Sequence, residues 1–257
     1  MEWIWIPLTA GAGAVLTFYS GFGLGTLLLP VFLIYFPVSE AVALTAIVHF
    51  LNNIFKSGLT FSAVNWKKAL SLGLPGIPAA ILGAWILTLL TEVPILSKYS
   101  FLGVNAEVTV EKILMAILLA GFTVFEIWSP KKEYNFSTRG LILGGALSGF
   151  MGGLSGHQGA LRSVFLSRTG LTAKAFIATG TCISLGIDMS RIATYMGNHT
   201  LSGSIEHWKL LTLSLGAALL GSWWGNQQLT KITIHQIRVI IAVCMGILAI
   251  LLGSGLR

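Results

Sequence analysis

The chain has 257 residues, of which 54% are hydrophobic and only 10% are charged, and its mean hydropathy is +0.82. This composition excludes a soluble domain of ordinary make-up, because so few polar side chains could not cover its surface. The formal net charge of +7 does not indicate a nucleic-acid partner, since the basic residues are dispersed over short loops. Orientation in a membrane explains such loop charges better. The sequence therefore predicts an all-α polytopic protein surrounded by a lipid bilayer.

Eight apolar stretches are long enough to cross or enter a bilayer, whose core requires about 20 helical residues. Glycine-rich runs at 21–25 and 152–159 interrupt two of these stretches. Hydrocarbon tolerates such breaks only where protein or a water-filled cavity satisfies the exposed backbone. Matched breaks in two halves are the sequence feature that indicates a transporter's binding site. In chain order the stretches are 3–36, 41–64, 68–90, 110–128, 139–167, 173–196, 208–226 and 235–253.

The two halves of the chain resemble each other weakly. An offset of 134 residues pairs Gly25 with Gly159 and Thr45 with Thr179. This self-similarity predicts a single transport domain, 1–257, built from two repeats of about four segments each. In each repeat the first helix is broken by glycine, and is therefore either discontinuous or re-entrant. The repeats are predicted to cover 1–130 and 138–257.

Loop charges test the orientation of these segments. If all eight stretches span fully, the Lys and Arg residues of the loops divide seven against six, which gives no bias. If each glycine-broken stretch returns to the side it entered, they divide nine against four. The second arrangement obeys the positive-inside rule, places both termini outside the cytoplasm and makes the repeats inverted.

The motifs around the breaks resemble a known family. Gly21 to Thr26, followed by Leu29-Pro30 and the run 39–45, resembles the signature of the TauE/SafE sulfite and organosulfonate transporters. The second half is similar to that family's second repeat in 159–162 and 170–179. The resemblance implies secondary transport of a small sulfur-containing or carboxylate anion across the cytoplasmic (inner) membrane. Departures within both glycine runs leave the substrate open between sulfite and a related anion.

The first break offers backbone donors for an anion. Gly23 and Gly25 permit the interruption, and a half-helix beginning just after Gly25 would direct the N–H groups of Thr26, Leu27 and Leu28 at its tip. Unpaired donors and the positive end of the helix dipole coincide there. We therefore expect Gly23, Gly25, Thr26 and Leu27 in the substrate site.

The second break adds charge. Arg162 follows Gly159 by three residues inside an apolar stretch, and its guanidinium suits a bidentate oxyanion. The alternative is an arginine paired permanently with a backbone carbonyl or a carboxylate. His157 and Gln158 either add donors to the substrate site or cap the loop.

Two later stretches carry polar side chains. His49, Asn52, Asn53 and Lys56 share one helical face, which we expect to point into the bundle, although Lys56 could instead extend to the interface. His49 could equally be a hydrogen-bonded packing residue.

Asp188 and Arg191, at i and i+3, form a candidate intramembrane ion pair. Asp188 either neutralises a cation or takes up a proton and couples transport to a proton gradient. The hydroxyl of Thr179 either contacts the substrate or bonds a carbonyl of its own helix.

These features predict an anion carrier with alternating access. The alternatives are an anion channel and a membrane-embedded hydrolase in which Ser155 and His157 act together. No HExxH motif or paired aspartates support the hydrolase, so we expect no enzyme activity. Cys182 and Cys244 lack a CxxC spacing, and we expect no metal and no cofactor. The oligomeric state is left open.

Overall fold

The computed structural model describes residues 1–20, 23–91, 93–101, 104–127, 136–197, 204–227 and 234–256. These residues form ten α-helices, two short 3-10 helices and one small antiparallel hairpin. The predicted all-α class is confirmed, and the hairpin is an addition to it. The helices are α1 Glu2–Ser20, α2 Leu24–Tyr35, α3 Val38–Thr60, α4 Trp66–Thr91, α5 Val110–Ile127, α6 Thr138–Ser155, α7 Gln158–Ser167, α8 Ala173–Gly197, α9 Trp208–Gln227 and α10 Ile234–Gly253.

Long apolar helices are present. Within the described residues, two helical segments combine sufficient length with high hydropathy and few charges: 38–63, with mean hydropathy 1.4, and 66–91, with mean hydropathy 1.8. Helix α4 stays continuous through Pro75 and Pro78. Proline is tolerated in such helices where neighbouring groups satisfy the freed carbonyls.

At each glycine run one helix ends and another begins. Helix α1 ends at Ser20 and α2 begins at Leu24, with Gly23 before it at a φ of 82°. Helix α6 ends at Ser155, and Gly156 follows at a φ of 75° before α7 begins at Gln158. Glycine adopts positive φ without the steric penalty that a Cβ would bring. The residues 21–22 lie outside the described part of the chain.

The most extensive helix contacts join a helix of the first half of the chain to a helix of the second half. Helix α4 packs along α6, α1 along α9, α3 against α8 and α5 against α10. Glycines set the closest approach: a Cβ on Gly149 of α6 would stand 2.0 Å from the carbonyl oxygen of Gly76 in α4. A Cβ on Gly221 of α9 would stand 2.2 Å from the carbonyl oxygen of Gly11 in α1. In a bilayer the hydrophobic effect does not drive helices together, because lipid is as apolar as the side chains. Small residues let the helix backbones approach closely and associate by van der Waals contact instead.

A small hairpin connects α4 to α5 and also contacts the end of α10. Strands β1, Ser97–Phe101, and β2, Val104–Val108, connect α4 to α5. The backbone N–H of Glu107 donates to the carbonyl of Gly255 at 3.0 Å, which attaches the end of α10 to the hairpin. The Lys98 ammonium lies 2.7 Å from the Glu107 carboxylate and its hydrogen bond holds the pKa of that carboxyl below its usual value.

Two apolar clusters form the core. The larger one surrounds α2, whose Leu24, Leu28 and Phe32 are fully buried. The second lies between α4, α6, α7 and α8 and includes Leu72 and Ile187. The central polar residues described below lie on the helices that border these two clusters.

The α4–α6 contact yields a stability prediction. We expect Gly149→Ala to lower the melting temperature of the purified protein, because the new methyl group would overlap the Gly76 carbonyl and overpacking costs about 1–3 kcal/mol. Gly121→Ala on α5 is the matched control, since its Cβ would meet nothing within 4 Å. Alanine there should be neutral or stabilising by up to roughly 1 kcal/mol. Equal melting temperatures for the two variants would contradict the close contact.

Candidate functional site

A fully buried carboxylate stands at the centre of the molecule. The Oδ1 atom of Asp188 accepts hydrogen bonds from Gln158 Nε2 at 2.6 Å and from Arg191 Nε and Nη2 at 3.0 and 2.8 Å. Its Oδ2 atom accepts from His49 Nδ1 at 2.7 Å and from Asn53 Nδ2 at 3.3 Å. Since an ionised carboxylate only accepts, Nδ1 of His49 carries the proton of this bond. Four side chains from α3, α7 and α8 therefore converge on Asp188.

Helical spacing explains this convergence. His49 and Asn53 are four residues apart on α3, and Asp188 and Arg191 are three apart on α8, so each pair shares a face. Helices α3 and α8 pack against each other and bring the two faces together. Gln158 joins them because it is the first residue of α7.

The two glycine breaks meet at this network. A Cβ on Gly23 would stand 2.9 Å from His49 Nε2 and 3.8 Å from the Cα of Gly159. A Cβ on Gly25 would stand 3.4 Å from the carbonyl oxygen of Gly156. The absence of side chains at the breaks thus lets α2 and α7 begin beside His49 and beside each other.

Arg191 also satisfies the end of α6. Its Nη1 atom donates to the carbonyl of Gly152 at 3.1 Å, and the hydroxyl of Tyr195 donates to the carbonyl of Gly153. These carbonyls belong to the last turn of α6, where cations are favoured, and the Gly152 carbonyl also accepts the backbone N–H of Gly156 at 3.0 Å. Arg191 therefore links the end of α6, next to the second glycine break, to Asp188.

A second group of polar side chains lines a small cavity of about 20 Å³. Arg162 and Lys56 are both buried and both reach it. The guanidinium of Arg162 donates to the hydroxyl of Ser184, and the Lys56 ammonium lies 5.3 Å from the ring centroid of Phe18, a cation–π distance. The lining residues are Thr17, Phe18, Gly23, Asn53, Lys56, Arg162, Phe176, Ile177, Gly180 and Thr181.

The buried charges at this centre do not balance. Within the described residues, Lys56, Arg162 and Arg191 are buried cations, whereas Asp188 is the buried carboxylate. Arg191 and Asp188 form an ion pair at 2.8 Å, as the i, i+3 spacing predicts. By residue type, the buried basic side chains therefore outnumber the buried carboxylate by three to one in the described part of the chain.

Helix α2 begins two residues earlier than predicted. Its first turn is formed by Leu24, Gly25 and Thr26, and the Thr26 N–H donates to the Gly23 carbonyl at 3.3 Å. Leu27 lies past the four N–H groups that lack intrahelical partners. Its side chain faces α1, 3.5 Å from where a Cβ on Gly13 would be. The early start arises because Gly23, not Gly25, supplies the positive φ.

His157 faces away from the cavity. It is fully buried, its Nδ1 lies 2.8 Å from the Ser155 carbonyl, and its ring stacks on Phe122 of α5 with centroids 4.8 Å apart. It immediately precedes α7, and its side chain makes no capping hydrogen bond to that helix. Gln158, in contrast, points at Asp188.

Two further predicted residues connect elements outside the cavity. Asn52 accepts a hydrogen bond from the Ser222 hydroxyl of α9 at 2.8 Å. The hydroxyl of Thr179 accepts from the backbone N–H of Asn65 at 2.9 Å, which joins α8 to the loop before α4. The side chain of Asn52 therefore does not point toward Asp188 as those of His49 and Asn53 do. Asn52 and Asn53 are adjacent in sequence, and adjacent residues of an α-helix point in directions about 100° apart.

The structure adds residues that the predicted site omits. Asn53 contacts both the network and the cavity, Lys56 lines the cavity, and Gly180 and Ser184 flank Arg162. Gly180, Ser184 and Asp188 recur every four residues on α8, a spacing that marks one helix face. That small and polar stripe was the available signal. Phe18 and Thr17 carried none, since they sit in an ordinary apolar run.

The described residues contain no cluster of three or more His, Cys, Asp or Glu side chains suited to a metal ion. The cavity is lined instead by the cations Lys56 and Arg162, the amide of Asn53 and the hydroxyl groups of Thr17 and Thr181, among apolar neighbours. Such groups bind anions rather than metals.

Comparison with known families decides what kind of protein carries this centre. The family model of the sulfite exporter TauE/SafE matches residues 6–252. The chain belongs to the TauE/SafE family. It is a membrane transporter and not an enzyme, which removes the hydrolase alternative. No curated protein and no solved structure matches the chain significantly.

The ion pair of this TauE/SafE transporter can be tested by a double-mutant cycle. We expect Asp188→Asn and Arg191→Gln each to destabilise the protein strongly, since breaking a buried pair costs about 3–5 kcal/mol. The double variant should lose clearly less than the sum, because neither partner is then left unmatched. Thermal unfolding in detergent measures all three.

The matched control is the exposed pair of the hairpin, Lys98→Gln and Glu107→Gln. Solvent screens exposed pairs, so their cycle should show little or no coupling. Additive losses for Asp188 and Arg191 would contradict the proposed dependence between them.

Proposed function

We propose that this TauE/SafE transporter moves a small oxyanion across the cytoplasmic membrane by alternating access around its two glycine breaks. Sulfite, an organosulfonate or a related sulfur or carboxylate anion would be the substrate. The observation that carries the proposal is the placement of Lys56 and Arg162 on one buried cavity. Burying arginine or lysine at mid-membrane costs roughly 2.5–3.5 kcal/mol, which an anionic substrate would offset.

The lining groups divide the work of recognition. Arg162 would engage two oxygens of a planar or pyramidal oxyanion through its guanidinium, as Arg does with carboxylate and phosphate. Lys56, which belongs to the first half of the chain whereas Arg162 belongs to the second, would act as a compact positive charge. Asn53 and Thr181 supply an amide and a hydroxyl that can donate to the remaining oxygens.

The size of the cavity favours a carrier over a channel. A volume of about 20 Å³ has room for about one water molecule and not for an oxyanion of several heavy atoms. Substrate entry therefore requires helices to move apart, which is the behaviour of an alternating-access carrier. A channel would need a continuous hydrated path through this point.

The packing pattern supports two repeats, 1–130 and 138–257. The contact of α1 with α9 is matched by that of α6 with α4, and α3 and α5 pair with their own counterparts α8 and α10. A two-fold axis between the halves would generate this pattern, because it would exchange α1 with α6 and α9 with α4. Helices α2 and α7 are the corresponding short helices after each break.

Positions of the helix ends support re-entrant helix pairs. Thr138 at the start of α6 and Arg168 just after α7 line the same pocket, which supports an α6–α7 segment that returns to the side where it began. In the first half, α1 runs parallel to α9, since Gly11 adjoins Gly221 and Phe18 adjoins Gly225, and the Phe36 ring packs 4.8 Å from the ring of His207, which immediately precedes α9. The start of α1 and the end of α2 therefore also share one side.

The Asp188 network provides a route to proton coupling, which we include in the proposal. His49 bonds Asp188 at 2.7 Å, and Asn53 contacts Asp188 while also lining the cavity. Uptake of a proton by this pair would add positive charge beside the substrate. Anion affinity and protonation would then be linked reciprocally.

Arg162 is the most direct test of the transport site. We expect Arg162→Gln to weaken sulfite binding by at least tenfold, measured as loss of the thermal stabilisation that sulfite gives the wild type, and to abolish saturable uptake in proteoliposomes. Arg162→Lys should restore part of the affinity, since it keeps the charge but not the fork. The control is Arg139→Gln, which removes an exposed charge from α6. Unchanged affinity in Arg162→Gln, with the protein folded, would remove this residue from the site.

Topology can be tested independently of the substrate. In a background with Cys182 and Cys244 replaced by Ser, we expect Glu2→Cys and Pro37→Cys to react with an impermeant maleimide from the same side of the membrane. Arg139→Cys, at the start of the second half, should react from the other side. Labelling of positions 2 and 37 from opposite sides would show that the first glycine-broken segment crosses the membrane.

A further inference from the structure

A second pocket, of about 420 Å³, lies where α4 and α6 begin and α7 ends. Three basic side chains line it, Lys67, Lys68 and Arg168, together with the hydroxyl-bearing residues Ser71 and Thr138. No carboxylate stands among the described residues of its lining. The pocket is about twentyfold larger than the central cavity and is open to the surface of the protein.

The basic side chains are placed by contacts across three helices. The Lys68 ammonium donates to the carbonyl of Thr169, which ties the start of α4 to the end of α7. The Arg168 guanidinium lies 5.9 Å from the ring centroid of Phe136, a cation–π contact. The first turns of α4 and α6 add the positive ends of two helix dipoles.

This pocket is separate from the proposed transport site. Phe136 lines the pocket and Phe176 lines the central cavity, and both pack against the apolar cluster between α4, α6, α7 and α8. That cluster, with Leu72, Leu166 and Ile183 buried in it, lies between the two polar regions. The two pockets share no lining residue among those described.

We propose that the pocket binds a phosphate group, either in the headgroup of an anionic phospholipid or as free inorganic phosphate. Three cations on one pocket are enough to neutralise a phosphate group, which carries up to two negative charges, and the volume exceeds what a small inorganic ion needs. Half-exposed Trp66 and Leu70 adjoin it on α4, with 50% of each side chain accessible. Tryptophan at that level is typical of a membrane interface, where basic pockets between helices receive lipid headgroups.

Occupancy of the pocket would restrain α7. The pocket holds the residues that follow this helix, Arg168 and Thr169, against the start of α4, and α7 also carries Arg162. A phosphate bridging Lys67 and Arg168 would strengthen that attachment. Lipid composition would thereby influence the position of the short helix that bears a substrate-binding residue.

The test compares lipids and phosphate on the purified full-length chain. We expect dioleoyl-phosphatidylglycerol to raise the melting temperature above that in dioleoyl-phosphatidylcholine, because a ligand of the folded state stabilises it. Lys67→Gln/Arg168→Gln should weaken the apparent affinity for phosphatidylglycerol by at least tenfold. The matched control is Lys174→Gln/Lys209→Gln, which also removes two charges, from exposed positions at the starts of α8 and α9 outside the pocket. It should keep the wild-type response.

Inorganic phosphate, compared with chloride at equal ionic strength, distinguishes the two sources. Stabilisation by phosphatidylglycerol alone identifies a lipid headgroup, and stabilisation by phosphate alone identifies the free ion. The proposal is overturned if neither exceeds its control in the wild type, or if the double variant responds like the wild type. Should the double variant fail to fold, the single exposed change Lys67→Gln decides, with a loss of response expected. Because the readout is ligand-dependent stability and not uptake, failure here leaves the transport proposal standing.

Discussion

The buried carboxylate of Asp188 is the constraint on which the centre of this transporter depends. A charge removed from water is tolerated only when partners replace its hydration, and here His49, Asn53, Gln158 and Arg191 do so. These partners come from α3, α7 and α8. The need to satisfy one carboxylate therefore fixes three helices relative to one another, and through Arg191 it also fixes the end of α6.

The glycine breaks serve this arrangement in two ways. Absence of a Cβ at Gly23 leaves space for His49, and positive φ at Gly23 and Gly156 turns the chain between helices. Along α6, the same residue type sets the contact with α4, where Gly145, Gly149 and Gly153 approach backbone carbonyls. Glycine is thus used at the breaks for conformation and along the helix for close packing. A substitution would have different consequences at the two kinds of site.

The buried basic residues at the centre have two different kinds of environment. Arg191 is committed to Asp188 and to a helix end, whereas Lys56 and Arg162 border the cavity with amide, hydroxyl and aromatic neighbours. Such a division keeps the protein folded while it retains a positive field for an anion. The neighbouring Asn53 contacts both regions, so a change in protonation at the carboxylate would be felt at the cavity. The proposed proton coupling has its physical basis in this shared side chain.

Sequence alone determined the membrane class, the family resemblance, the helical segments and the glycine runs, because hydropathy, spacing and composition are local properties. It also predicted the Asp188–Arg191 pair, since i, i+3 neighbours meet on any helix. Only the tertiary structure decided that His49 and Gln158 bond Asp188, that Asn52 and Thr179 serve helix contacts, and that Phe18 joins the cavity. These outcomes depend on which helices pack together and at what rotation. Close backbone approach at glycines far apart in the chain sets both, and no local pattern encodes that approach.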